Sequence, residues 1–141
     1  MTTFLTSEDE AALVEAIREQ EARTSAELRV CVTYKFIWRH ERYAWRVFEK
    51  AGMRNTRHRN GALIVMMPMM RKVVILGDSG LNAVVPPGYW QDAVKAMVRQ
   101  MHEAGPLEAL CEGLRRLGDT LAGAWPREAG DVNELPDEIL R

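Results

Sequence analysis

The sequence predicts an α/β fold: a three-layer α/β/α sandwich with a small mixed central sheet. Three observations carry this expectation. Helical and strand patterns interleave in the order helix, strand, helix, strand, strand, helix, helix. Two of the three strands are near-continuous apolar runs, the pattern of a sheet covered by helices on both faces. A helix separates the first two strands, so they should run parallel through a right-handed crossover. Only a short polar break separates the second from the third, so these two should form a hairpin.

Each element has its own local signal. Ser7-Glu8-Asp9-Glu10 has the form of a capping box, and three acids suit the positive end of a helix dipole. Leu13, Ala16, Ile17 and Gln20 then mark one face of a helix expected over about 7–23. "AELRVCVTY" alternates, with Leu28, Val30, Val32 and Tyr34 on one side and Arg29, Cys31 and Thr33 on the other, which is a strand. Ala44, Val47, Phe48 and Ala51 make a second helix over about 40–51, and Gly52 stands where a C-terminal glycine belongs. "GALIVMM" is a buried strand stopped by Pro68, and "KVVILG" is its hairpin partner. Pro86-Pro87-Gly88 turns into a helix whose inner face carries Trp90, Val94, Met97 and Met101. Gly105-Pro106 ends that helix and begins another, with Leu107, Leu110, Leu114, Leu117 and Leu121 at helical spacing. Trp125-Pro126 closes the domain, so residues 1–126 should form a single domain and 127–141 an acidic tail, extended or partly mobile.

Composition bounds the function. A chain of 141 residues suits one domain with one core, and 47% hydrophobic with 28% charged residues is an ordinary globular balance. The net charge of −1 gives no overall bias toward nucleic acid or membrane, and no apolar run approaches the roughly 20 residues that span a bilayer. The first residues lack the charge pattern and apolar stretch of a signal peptide, so a cytoplasmic protein without membrane insertion is expected. Cys31 and Cys111 fall inside regular elements and read as buried free thiols, and no cysteine–histidine spacing suits zinc. The charge is nevertheless uneven. Residues 1–27 hold seven acids and two bases, whereas residues 35–59 hold eight bases and two acids, a local +6. These regions either neutralise each other or leave a basic patch for an anion.

Four stretches invite a chemical reading. In "GDSG" at 77–80, Ser79 resembles a nucleophile, but neither His40, His58 nor His102 is tied to it as a base, and Leu81 stands where a nucleophile elbow needs glycine. A turn with positive φ at Gly77 or Gly80 explains the glycines better. Asp78, just past a strand end, can ligate Mg²⁺ or Ca²⁺ or cap its own turn. Arg57 and Arg59, before Asn60-Gly61, offer guanidinium forks for phosphate or carboxylate, or ion pairs to the acidic first helix or the tail. They carry no nucleic-acid motif. "MMPMM" at 66–70 reads as core and turn packing rather than a thioether copper site. Trp38 and Trp45, beside arginines, suit packing, cation–π contact or a protein-partner surface.

Taken together, "LTSEDEAALVEAI", "EARTSAELRVCV", "YAWRVFEKAGM", "RHRNGALIVM", "RKVVILGDSGLN", "VPPGYWQDAV", "EGLRRLGDTLAGAWP" and "DVNELPDEI" resemble the TPM domain family in order and spacing, over residues 4–139. The match is closest to its short soluble members. The resemblance implies a compact α/β/α domain with a mixed sheet. It also implies a spread of roles: acid phosphatase in a plant thylakoid-lumen member, divalent-cation binding in some, photosystem repair or receptor assistance in others. It places the Asp78 loop, Asn60-Gly61 and Arg71 at recurring positions; in a phosphatase reading, Asp78 would act with a divalent cation and Arg59 or Arg71 would hold phosphate. The chain departs from the family where Met70 stands in place of an acid before Arg71. It departs again in "WRHERY", where Glu41 is the one acid near the entry to the second helix. Fewer carboxylates weaken any Ca²⁺ or Mg²⁺ site built on Asp78 and Glu41. The leading expectation is therefore a non-enzymatic, soluble binding or accessory module, with divalent-cation binding and a protein partner left open. A divalent-metal phosphatase is the runner-up, and an anion-binding adaptor using residues 35–59 comes third.

Overall fold

The computed structural model describes residues 4–128 and 138–141. Its elements follow the expected order: α1 (Ser7–Glu21), β1 (Leu28–Val32), α2 (His40–Lys50), β2 (Ala62–Met67), a 3₁₀ turn (Pro68–Met70), β3 (Lys72–Gly77), α3 (Ser79–Asn82), α4 (Tyr89–Glu103) and α5 (Pro106–Ala124). The sheet order is β1-β2-β3. β1 lies parallel to β2, from Leu28 opposite Ala62 to Val32 opposite Met66. β2 and β3 form the antiparallel hairpin, from Ala62 opposite Gly77 to Met67 opposite Lys72.

Alternation along the strands divides the interior into two cores, one on each face of the sheet. Leu28, Val30, Ala62, Ile64, Met66, Val73 and Ile75 belong to the larger core, with α1, α4 and α5. Cys31, Leu63, Val65, Met67 and Leu76 belong to the smaller core, under Ala44 and Phe48 of α2 and Met53. This is the expected α/β fold with its small mixed sheet.

Local details differ from the sequence reading. The cap of α1 is Thr6, one residue earlier than Ser7. The Thr6 hydroxyl accepts from Asp9 N–H at 3.0 Å, and the Asp9 carboxylate accepts from Thr6 N–H at 3.0 Å. Thr6 and Asp9 have the same spacing and chemistry as Ser7 and Glu10, so the pattern alone did not fix the register. α1 ends at Glu21, short of residue 23. Glu21 is buried and accepts from Leu28 N–H at 3.2 Å, tying the helix end to the start of β1. β1 ends at Val32, so Tyr34 lies beyond it, where its hydroxyl accepts from Leu5 N–H at 3.0 Å. The second side of β1 is also covered: Arg29, Cys31 and Thr33 are all buried. Gly52 has φ +73°, as a helix C-terminal glycine should.

The four-residue α3 was not expected. It is too short to show a helical period, and its signal is the cap residue Asp78. Residues 138–141, within the expected tail, lie against β1. Leu140 bridges Cys31 in parallel: its N–H donates to Val30 O at 2.8 Å, and its carbonyl accepts from Val32 N–H at 2.9 Å. Arg141 pairs with Glu10, and Glu138 lies 3.9 Å from buried Arg29. This segment covers the outer edge of β1, which would otherwise present unpaired backbone groups. The stretch expected as tail between 129 and 137 lies outside the described residues. Among the described residues no helix is long and apolar enough to cross a membrane.

The two cysteines are free. Burial pushes the Cys31 thiol up to about 11, against smaller lowering effects from a Tyr43 hydrogen bond and the Lys35 charge. Burial also raises Cys111, helped by the charges of Glu108 and Glu19. Cys111 is only half-buried. An aromatic disulfide reagent at pH 8 should therefore label Cys111 slowly and Cys31 only after denaturation. Rapid labelling of both thiols in the native protein would contradict this burial.

Candidate functional site

The expected site residues gather at the end of β3, where the loop entering β2 meets α3. Asp78 is the N-cap of α3, and its side chain is 2% exposed. Arg59 reaches it as a fork, with Nε 2.8 Å from Oδ2 and Nη2 3.0 Å from Oδ1. Ser79 N–H donates to Oδ1 at 2.8 Å. Arg54 Nη1 stands 3.9 Å from the same oxygen. Both carboxylate oxygens are thus engaged by donors. Burial by itself would raise the Asp78 pKa. The hydrogen bonds from Arg59 and Ser79, with the charges of Arg59 and Arg54, outweigh burial and hold the group below the ordinary carboxylate range. Arg59 is raised in turn, first by its hydrogen bonds to Asp78 and then by the Asp78 charge.

The backbone around this pair is tightly determined. Arg59 has φ +50°, uncommon for a residue with a side chain. Gly80 N–H donates to Arg59 O at 2.8 Å, and Asp78 N–H to Gly61 O at 3.0 Å. Neither Gly77 nor Gly80 has positive φ, contrary to the sequence expectation. Their role is close approach. A Cβ on Gly80 would overlap the His58 carbonyl oxygen, and one on Gly77 would lie 2.5 Å from the Trp90 ring. Asn82 completes the turn: its amide N donates to Gly77 O at 2.9 Å, and its amide O accepts from Trp90 Nε1 at 2.8 Å. The "GDSGLN" stretch is therefore a hydrogen-bonded joint between β3, α3 and α4.

The other candidates fall elsewhere. Asn60 is buried beside Arg59, and its N–H donates to Thr56 Oγ1 at 3.3 Å. Arg57 is exposed and donates from Nε to His58 Nε2 at 3.2 Å. The His58 backbone does lie against the 77–80 turn, a proximity the sequence did not reveal, but its ring is bonded to Arg57 rather than to Ser79. Arg71, at φ +50°, follows the 3₁₀ turn of the hairpin. It sits at the opposite end of β3 from Asp78, about 20 Å away for a strand of this length. Glu41 lines a groove of about 630 Å³ along β3, shared with His40, Lys72, Trp90 and Lys95. Asp78 does not line this groove. The structure thus joins Arg59, Asn60 and Asp78, and separates Arg71 and Glu41 from them. Arg54 joins the pair without having been singled out. It pairs with Glu49 and lies over the Trp45 ring at 5.2 Å. Its spacing five residues after Glu49 on the helix exit was the signal available.

The TPM domain model matches residues 1–120, most of the chain. This protein belongs to the TPM domain family. Its fold agrees with solved structures of two bacterial proteins. The BA42 protein of the psychrophilic bacterium Bizionia argentinensis is 35% identical, with TM-score 0.88, covering 97% of this chain and 94% of BA42. The N-terminal domain of a P. gingivalis protein is 21% identical, with TM-score 0.70, covering 86% of this chain and 78% of that one, and shares the fold. No curated protein matches the chain. Within this TPM domain, the Asp78 carboxylate is committed to arginines. Among the described residues no three histidines, cysteines or carboxylates come together as a metal site. A hard divalent cation needs several oxygen ligands, and Asp78 is the one carboxylate of the 77–82 turn.

Proposed function

We propose that this TPM domain is a binding or accessory module, and that its Asp78 loop is structural rather than hydrolytic. The observation that carries this reading is the two-pronged Arg59–Asp78 bond. It occupies the carboxylate that a metal-assisted hydrolase would need and the guanidinium that would hold phosphate. The lack of any hydrogen bond between Ser79 and an imidazole among the described residues points the same way. Two free cysteines suit a cytoplasmic location.

The test pairs an assay with a titration. Purified protein should give no turnover of a generic phosphomonoester with Mg²⁺ or Ca²⁺. Amides of residues 77–82 should not shift at millimolar concentrations of either metal. Turnover that disappears in Asp78→Asn, in a variant shown to be folded, would overturn the proposal in favour of a divalent-cation phosphatase. Metal-dependent shifts confined to this loop would overturn its structural assignment.

A further inference from the structure

The fold leaves a second feature unexplained, on the connection from β1 to α2. Ile37 is anchored there: it packs on the smaller core, and its N–H donates to Met70 Sδ at 3.4 Å. Its neighbours point the other way. Phe36 is 71% exposed and Trp38 is 93% exposed. The other three tryptophans, Trp45, Trp90 and Trp125, are half-buried and packed against the cores. Trp38 is the exception.

The surroundings of this pair are cationic. Arg39, Arg42 and Arg46 are exposed, and with Phe36, Trp38 and Tyr43 they line a concavity of about 460 Å³. Arg42 and Arg46 are four apart on α2, so they share one face. Among the described residues no carboxylate pairs with Arg39, Arg42 or Arg46, whereas Arg54 and Arg59 do have acidic partners. Glu41, the one acid between 35 and 48, lines the separate groove along β3. Two projecting aromatic side chains beside three unneutralised guanidinium groups therefore stand on one pinned segment.

We propose that this surface docks the protein on an anionic phospholipid bilayer, a role independent of the Asp78 reading. Phe36 and Trp38 enter the boundary between headgroups and acyl chains, where aromatic rings are favoured. The arginines meet lipid phosphates, and the concavity takes a headgroup. The attachment is peripheral, since among the described residues no helix is long and apolar enough to cross a membrane. Charge distribution favours a bilayer over a nucleic-acid strand. Residues 35–48, which hold this patch, carry four bases and one acid, a local +3 in a chain of net −1, which leaves −4 on the remainder. A flat anionic surface meets only the basic side. A strand long enough to engage many phosphates would run on past the carboxylates.

The test is co-sedimentation of the full chain with vesicles. The protein should bind an equal mixture of phosphatidylglycerol and phosphatidylcholine at low salt. It should bind phosphatidylcholine alone at least about tenfold more weakly, and lose binding as salt rises. Phe36→Ser with Trp38→Ser, and separately Arg42→Glu with Arg46→Glu, should each weaken binding about tenfold or more while leaving the thermal transition in place, because all four side chains are exposed. Bromine-labelled acyl chains should quench tryptophan emission in the native protein and much less in the Trp38 variant. No sedimentation with anionic vesicles would overturn the proposal. So would binding that both double variants retain, or tighter binding to single-stranded oligonucleotide than to vesicles.

Discussion

Gly80→Ala is expected to destabilise the domain by about 3 kcal/mol, lowering its thermal midpoint by roughly 10 °C. The reason is local and steric. An added Cβ would overlap the His58 carbonyl oxygen and lie 2.8 Å from the carbonyl oxygen of Arg59. Both obstacles are backbone, so no side-chain rotation relieves them. Displacing that loop also pulls at the Gly80 N–H to Arg59 O bond and at the Arg59 fork on Asp78. A control separates this from the general cost of changing a glycine. Gly123 has open space where a Cβ would stand, and it lies in α5. Gly123→Ala should therefore be neutral or stabilise by about 0.5 kcal/mol. Urea denaturation of both variants measures the contrast. Equal stability of Gly80→Ala and the native protein would mean that the 58–59 backbone yields freely.

Asp78→Ala should cost about 3 kcal/mol at pH 7. It strands the Arg59 fork and removes the α3 cap. The exposed side of Arg59 limits the effect, since that guanidinium can regain water. Asp78→Asn should cost less, because the amide oxygen can still accept from Ser79 N–H. The pH dependence has a definite sign. The folded pKa of Asp78 lies below its unfolded value, so its contribution is fully present above about pH 4 and is lost as pH falls through the folded pKa. The stability gap between native protein and Asp78→Ala should be constant from pH 7 to about pH 5 and narrow below about pH 4. A gap that widens on acidification would contradict the ion pair.

How far these features were legible depended on the range of the interactions that made them. Pro68, Gly52, Gly88 and Gly105 were read correctly as punctuation because each acts on its own backbone: Pro68 ends β2, and the three glycines have positive φ. Gly77 and Gly80 were misread by the same rule. What selects glycine there is another part of the chain: Trp90 in one case, residues 58–59 in the other. Asp78 was recognised as a strand-end carboxylate with two readings, metal ligand or turn cap. Its guanidinium partner lies nineteen residues back, and the pairing is made by the β2–β3 register.

The sequence by itself determined the order of the four long helices and three strands, the mixed sheet and the family. Apolar periodicity and turn residues express the chain's own backbone preferences, and these act over a few neighbouring positions. Only the tertiary structure decided which side chains meet. It closed the Arg59–Asp78 fork and drew Arg54 into it. It laid Leu140 along the edge of β1, and it left Phe36 and Trp38 outside both cores. These outcomes depend on distances between segments far apart in the chain, which packing of the two cores fixes and local pattern does not encode.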